Sequence, residues 1–282
     1  MKCIAESGST KTTWVVIDQS GKELHRSSTQ GLNPFFVESA EVTEAFQNAV
    51  PVHLRQRINN LYFYGSGCSS EQRKQRIRDG ILDVAAIENL QVEHDLLAAA
   101  RATCKIASGI ACILGTGSNS CEYDGKNIID NIHALGFMIG DEGSGTDIGR
   151  RLLQAWVYRE MSSGLSTAFE KEFEITLESV LQNIYYQPKP NKYLASFAKF
   201  CSLNREDVLI KQIIRSALEG FVVRHVMKYG SAQKVPIHFV GSIAYNFKAE
   251  LDEILNHHGL TLGLVIAAPI EELIHYHASH EV

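Results

Sequence analysis

The chain has 282 residues, 45% of them hydrophobic and 21% charged, with a formal net charge of -5 and a pI near 6.1. That length allows one large domain or two ordinary ones, the composition is that of an ordinary globular protein, and the acidic balance argues against a nucleic-acid binder held by phosphate contacts. No run of eighteen apolar residues occurs, so no membrane span is expected, and an acid at position 6 arrives before any apolar signal segment can form.

In chain order, residues 2–6, 12–18 and 22–29 read as three strands, with Asp18-Gln19-Ser20-Gly21 as a hairpin signal. The first strand ends in Glu6, followed by Ser7-Gly8-Ser9-Thr10-Lys11. Such residues serve any tight turn, because Gly tolerates positive φ and Ser bonds its own backbone. They also let several N–H groups converge on an anion, beside a carboxylate able to hold a divalent metal through water. Residues 38–50 read as a helix, 61–64 as a strand ending in Gly65-Ser66-Gly67, 70–83 as a helix, 90–92 as a strand and 95–106 as an Ala-rich helix. The basic cluster from Arg73 to Arg78 reads as a solvated helix face.

The pattern then restarts. A strand at 110–114 runs into GTGSNS (115–120), and a strand at 119–123, a turn at 123–126 and a strand at 127–132 follow. Strand, small-residue loop, strand, Asp/Gly turn and strand have thus occurred twice, about a hundred residues apart, which points to internal duplication. Two such lobes would face each other across a cleft, where ligands preferentially sit. Residues 143–230 are mostly helical, in segments 144–161, 166–184, 191–202 and 205–229, with 185–193 as a linker. A strand at 235–240, a loop at Gly241-Ser242, a helix at 243–257 and a strand at 262–267 close the series.

The six cysteines form no CxxC pair and read as reduced core residues of a cytoplasmic protein. The eleven histidines show no HExxH spacing, and His275, His277 and His280 read as part of a solvated tail. The commonest phosphate motifs are missing: there is no GxxxxGK[ST], no GxGxxG after a strand, and no HRD or DFG.

What remains is an ordered set of short stretches: ESGSTK (6–11), GLNPF (31–35), HDLLAAARA (94–102), GTGSNS, GFMIGDEGSGTDIG (136–149) and FVGSIA (239–244). In that order, over nearly the whole chain, they resemble the N-acetylglucosamine kinases and BadF-type ATPases of the actin/hexokinase/Hsp70 superfold. The resemblance implies an α/β class chain with a two-lobed, duplicated ribonuclease-H-like (actin-like ATPase) fold and a central cleft. The lobes would be 1–107 and 108–282, the second with a helical insertion at about 144–230.

The same resemblance implies an ATP-dependent sugar kinase that phosphorylates N-acetylglucosamine, or a related amino sugar, at the 6-hydroxyl. ATP and Mg²⁺ would be required, with no nucleic-acid or membrane partner, and the assembly would be a homodimer. Two other readings stand: a BadF-type ATPase that energises a redox partner through an iron–sulfur cluster, and a catalytically silent regulator that binds ATP or sugar. In the kinase reading Asp95 is the general base, with His94 next in line. Taken alone, Asp95 reads as a helix N-cap. Glu6 orients Mg²⁺ through water. Ser9, Thr10 and Lys11 from one loop and Gly115, Thr116 and Gly117 from another hold phosphates, and Gly241 and Ser242 lie against adenosine. Asn33, Ser118, Asn119, Asp141, Glu142 and Gly143 contact the sugar, whereas by themselves Asp141 and Glu142 read as caps of the following helix. Two positions depart from the family pattern: Glu6 stands where many relatives have Asp, and Glu272 stands where Gly is expected.

Overall fold

The computed structural model describes residues 1–8 and 10–279. The described chain divides into two compact units. Residues 1–107, 125–128 and 268–279 form the first; residues 108–124 and 129–267 form the second.

The first unit contains strands β1 (Lys2–Ser7), β2 (Lys11–Ile17) and β3 (Glu23–Gln30), helices α1 (Ser39–Ala49) and α2 (Val52–Arg55), strand β4 (Asn60–Gly65), helix α3 (Glu71–Leu82), strand β5 (Asn89–His94) and helix α4 (Asp95–Thr103). Its sheet has the order β3-β2-β1-β4-β5. β1 and β2 pair antiparallel, as do β2 and β3, whereas β4 runs parallel to both β1 and β5. Cys3, Ile4 and Ala5 of β1 are fully buried, as befits a central strand covered on both faces. Trp14, Phe46 and Phe63 pack together at centroid distances of 5.2 and 5.9 Å on one face. Helix α1 reaches them because Val42, Ala45, Phe46 and Ala49 recur at helical spacing behind a Glu38–Glu41 capping box.

The second unit repeats this plan. Strands β6 (Gly109–Leu114), β7 (Ser118–Tyr123) and β8 (Ile128–Asp130) are followed by helices α5 (Gly145–Val157), α6 (Ser163–Phe173), α7 (Leu177–Tyr185), α8 (Pro190–Ser196), α9 (Ala198–Leu203) and α10 (Val208–Arg224). Strand β9 (Ile237–Val240), helices α11 (Ser242–Asn246) and α12 (Lys248–His257) and strand β10 (Leu262–Ile266) complete it. The sheet order is β10-β9-β6-β7-β8, with β6 antiparallel to β7, and β9 parallel to β6 and β10. Renumbered from its own first strand, this is the topology of the first sheet, so the duplication read from the sequence is present in the strand order.

The helices of the second unit are shorter than their apolar spacing suggests. The expected helix at 166–184 breaks where Glu174 turns left-handed at φ 45°, and α7 restarts behind a Thr176–Ser179 capping box. The expected helix at 191–202 divides at Phe197, and that at 243–257 divides at Phe247. Phe169, Phe173, Phe197 and Phe200 form an aromatic cluster that ties α6, α8 and α9 together.

One expectation needs correction. Residues 270–279 are not a solvated tail but helix α13 (Ile270–Ser279), and this helix belongs to the first unit, where it packs on β1 and α4. Its His277 is fully buried. The ring stacks on Tyr62 at 3.8 Å, and Nε2 lies 2.9 Å from the Tyr64 hydroxyl, which also accepts a hydrogen bond from Arg101. Leu273, Ile274, Tyr276 and His277 supply the apolar face that a reading of the histidines alone passes over. Glu272 sits on this helix and pairs with Lys105 at 3.3 Å, so the departure from Gly is accommodated by an ion pair. His275 is exposed, and His280 lies outside the described residues. Replacing a buried, stacked ring leaves a cavity, so His277→Ala is expected to cost on the order of 2–3 kcal/mol. A thermal midpoint lowered by roughly 5–10 °C would register it; an unchanged midpoint would mean that α13 does not hold the first unit together.

Candidate active site

In the first unit the polar groups gather where the parallel strands end. Register pairs Ser7 with Gly65 across β1 and β4, and Gly65 with His94 across β4 and β5, so three strand termini lie side by side. Glu6 stands one residue before the end of β1. Burial, reinforced by the Asp95 carboxylate and eased by Lys11, lifts its pKa from 4.5 to about 7. Two half-buried acids thus lie close enough for each to feel the charge of the other. Lys11 is exposed and opens β2, and Thr10 is exposed in the turn closed by the Gly8 N–H to Lys11 carbonyl bond. Ser9 lies outside the described residues.

Asp95 is the first residue of α4, and His94 is the N-cap, its Nδ1 accepting from the Leu96 N–H at 3.2 Å. The capping reading of Asp95 is thereby corrected: the cap is the residue before it. The same His94 nitrogen lies 2.8 Å from Asp95 Oδ1. Burial opposes a charge on His94, but the neighbouring carboxylate outweighs it, and the pKa is raised. With its proton on Nε2 alone, the ring gives its Nδ1 lone pair to Leu96 and leaves the buried Asp95 Oδ1 with no donor; with a proton on Nδ1, whether the ring is neutral or charged, it donates to that oxygen instead. One nitrogen therefore serves either the helix or the acid.

Asn33 sits in the loop after β3. Its Oδ1 accepts from the Phe35 N–H at 3.0 Å, and its side chain packs against Gly67. The loop is anchored by Ser7, whose hydroxyl accepts from the Leu32 N–H at 2.9 Å. Arginines of α3 brace it as well: Arg76 donates to the Pro34 and Val37 carbonyls, and the Arg73 guanidinium lies 3.6 Å over the Phe35 ring. These cations have structural work at the loop, which a solvated face would not give them.

In the second unit the loop Gly115-Thr116-Gly117 is enclosed by backbone. Gly241 has φ 122° and follows β9; a Cβ there would overlap the Leu114 carbonyl, so only glycine allows this approach to the loop. Ser242 is exposed at the start of α11. On the other flank, Asp141 takes a left-handed conformation at φ 56°, and its carboxylate lies over Gly117, with Oδ1 3.4 Å from the Ser118 N–H. Burial raises its pKa, against the opposing pull of that amide. Ser118 is buried with an unpartnered hydroxyl, and Asn119 Oδ1 accepts from Asn131 at 3.2 Å.

Glu142 points elsewhere: it pairs with Arg224 at 2.6 Å and His225 at 3.3 Å. Neither Asp141 nor Glu142 caps α5. Ser144 does, accepting from the Asp147 N–H, and Gly143 donates to the Asp147 carboxylate. Asp147, which the sequence reading passes over as an ordinary position in a helix, is the residue to which this loop is tied. Its sole sequence signal is the Ser-x-x-Asp spacing of a helix start.

Among the described residues no three His, Cys, Asp or Glu side chains gather as a metal cage, all six cysteines are buried, and no helix is long and apolar enough to cross a membrane.

Residues 6–270 match the BadF/BadG/BcrA/BcrD ATPase family. A candidate N-acetylglucosamine kinase from Porphyromonas gingivalis, of known crystal structure, shares 37% identity over the full length of both chains, with a TM-score of 0.93. The N-acetyl-D-glucosamine kinase of Dictyostelium discoideum is 23% identical over 218 residues, 71% of this chain and 67% of its own length. A ROK family glucokinase from Streptomyces griseus, solved with glucose and AMPPNP, shares the fold at 12% identity and a TM-score of 0.63, over 98% of this chain and 97% of its own.

The raised Glu6 pKa has a measurable sign. Between pH 4.5 and about 7 the folded chain holds a proton that the unfolded chain has lost, so stability falls as pH rises through that window. Glu6→Gln removes this dependence. Its thermal midpoint is expected to gain on that of wild type as pH is raised from below 4.5 to above 7, measured without ligands. Parallel curves for the two proteins would contradict the buried-acid assignment.

Proposed function

We propose that this chain, which belongs to the BadF/BadG/BcrA/BcrD ATPase family, is an ATP-dependent kinase of N-acetylglucosamine that acts on the 6-hydroxyl. The observation that carries the reading is the state of Asp95. Its carboxylate is half-buried at the first turn of α4, where the helix dipole favours negative charge, with Oδ1 2.8 Å from the His94 ring nitrogen. A carboxylate at a helix start, flanked by an imidazole, is a group of the type that serves as a general base. Full-length identity of 37% to the Porphyromonas protein and the match to the Dictyostelium enzyme support the choice of sugar.

Phosphoryl transfer asks a protein mainly for positioning and charge neutralisation. Asp95 takes the proton of the sugar hydroxyl while that oxygen bonds to the γ-phosphorus and the bond to the β-phosphate oxygen breaks. Gly115, Thr116 and Gly117 are read as offering backbone to the phosphates, with Thr10; Ser9, expected to join them, lies outside the described residues. Gly241 and Ser242 leave space for adenosine beside backbone. Asn33, Ser118, Asn119 and Asp141 offer the planar and hydroxyl groups that sugar hydroxyls and an acetamide require. Glu142 would act on the sugar through its loop, since its own carboxylate is engaged by Arg224 and His225.

The residues fit a divalent cation. A carboxylate lifted to about 7 by burial and a second acid regains its charge when a cation approaches. With no third acidic ligand gathered there among the described residues, Mg²⁺ would keep its waters, with Glu6 holding one of them. When bound, the metal neutralises charge on the phosphates. Glu6→Asp is therefore expected to keep activity and Glu6→Ala to lose most of it; equal rates for Glu6→Ala and wild type would remove the metal role. The same reading extends to a cytoplasmic homodimer, which light scattering on the purified protein checks.

The burial of every cysteine leaves no surface thiol for a cluster-bearing partner interface, which sets the kinase above the redox-activating ATPase reading. Phosphorus NMR of the product tests the activity: a 6-phosphate is expected, and failure to phosphorylate any acetylated amino sugar would end the reading. Asp95→Asn should lower kcat by ~10²–10⁴-fold, the usual range for loss of a general base. Its thermal midpoint and sugar affinity should barely move, because His94 supplies the cap. A variant with wild-type kcat would transfer the base role to another group.

A further inference from the structure

The start of α5 is fastened in two directions. Toward the loop after β6, the Gly145 N–H donates to the Gly115 carbonyl at 2.8 Å and the Thr146 N–H to the Thr116 carbonyl at 3.1 Å. Toward the preceding segment, the Ser144 N–H donates to the Asp141 carbonyl at 3.1 Å and the Gly143 N–H to Asp147 Oδ2 at 3.1 Å. The Asp147 side chain has no exposed surface. Its Oδ1 accepts from Arg150 at 2.7 Å and Arg151 at 2.9 Å, and its own N–H bonds the Ser144 hydroxyl at 3.3 Å. Between these bonds the chain passes through left-handed backbone at Asp141 and Gly143, a conformation that a non-glycine residue keeps only where the surroundings hold it.

We propose that Asp147 is the positioning residue of this site. It holds the 141–143 segment in its left-handed course and, through the first turn of α5, locks that segment to the 115–117 loop, so that the sugar-side and phosphate-side loops form one frame. The identity of the ligands rests on the function proposed above; the frame itself rests on the hydrogen bonds. The chemistry explains why the residue is an acid. One oxygen serves two guanidiniums and the other serves an amide, which a carboxylate does with both oxygens. In Asp147→Asn the single oxygen is drawn to the two cations, and the amide nitrogen is left facing the Gly143 N–H, donor against donor.

Two variants separate positioning from stability. Asp147→Asn breaks the Gly143 bond and leaves the arginines a partner. The double variant Arg150→Ala, Arg151→Ala breaks the ion pairs and leaves the Gly143 bond. Under conditions where circular dichroism shows all proteins folded, Asp147→Asn is expected to raise the KM for sugar, the KM for ATP and the Kd for AMPPNP together, by about tenfold, with a smaller effect on kcat. The double variant is expected to lower the thermal midpoint while leaving all three constants within about twofold, since it leaves the buried Asp147 carboxylate without its two cations but keeps the Gly143 bond that sets the loop. If Asp147 is only structural, binding tracks the midpoint across the variants. Near-normal binding by Asp147→Asn, or equal weakening in the double variant, would therefore overturn the proposal.

A measurement on the wild-type protein tests it without any variant. AMPPNP alone should slow amide exchange at 141–145 together with 115–117, and protection confined to 115–117 would refute a common frame. A wild type that binds AMPPNP yet phosphorylates no amino sugar would sink the substrate reading and leave this one to stand or fall on AMPPNP.

Discussion

A strand covered on both faces can carry polar chemistry only at its ends. β1 and β6 are such strands: Cys3, Ile4 and Ala5 in one, and Ile110, Ala111 and Cys112 in the other, have no exposed surface. Their parallel neighbours end at nearly the same level, β4 beside β1 with β5 beyond it, and β9 beside β6. Glu6, Asn33, His94 and Asp95 in the first unit, and the 115–117 loop, Asp141 and Gly241 in the second, follow from that one constraint. In open α/β sheets the carboxyl ends of parallel strands are where ligands are met.

The two units share a strand plan but solve different problems with it. The first concentrates charge. Glu6 and Asp95 repel each other, Lys11 and His94 partly compensate, and the balance is left unsettled, the kind of electrostatics from which the proposed metal and base roles are argued. The second concentrates backbone. Its loops are joined by amide-to-carbonyl bonds, by a glycine that admits no side chain, and by one buried acid. Insertions differ accordingly. Between the third and fourth strands the first unit has only α1 and α2, whereas the second has α5 to α10, whose aromatic cluster gives α5 a firm seat.

The strands and small-residue loops were legible in the sequence because alternation, glycine and strand length are local signals, and each expected strand occurs within a few residues of its predicted place. Helix breaks were not. Glu174 adopts a left-handed turn that Glu does not advertise, and Phe197 and Phe247 end helices while continuing the apolar spacing. Among the candidate site residues, the place of Asp95 at a helix start and of the glycine loops after strands followed from order alone. The cap could not, because histidine is an uncommon cap and Asp a common one. Glu142 was read as a ligand since sequence gives no sign of Arg224 and His225, which lie far along the chain. Asp147 was invisible for the same reason: its importance lies in what it accepts, and three of its donors are a glycine amide and two arginines that look like an ordinary charged helix face.

Helix α13 has a consequence for how the protein is made. It follows the last strand of the second unit, yet its buried face, with Leu273 and His277, completes the first by packing on β1 and α4. A ribosome delivers the first 107 residues early and must then synthesise the entire second unit before the missing helix emerges. Throughout that interval the surface α13 covers, including the neighbourhood of Tyr62, stays open to water and to other chains. Domains generally fold as units in the order of synthesis; here the first to be translated is the last to be finished. All five strands of the first sheet are then in place while one of its covering helices is still to come, so the apolar face that Leu273 and His277 later bury is exposed for as long as the second unit takes to make.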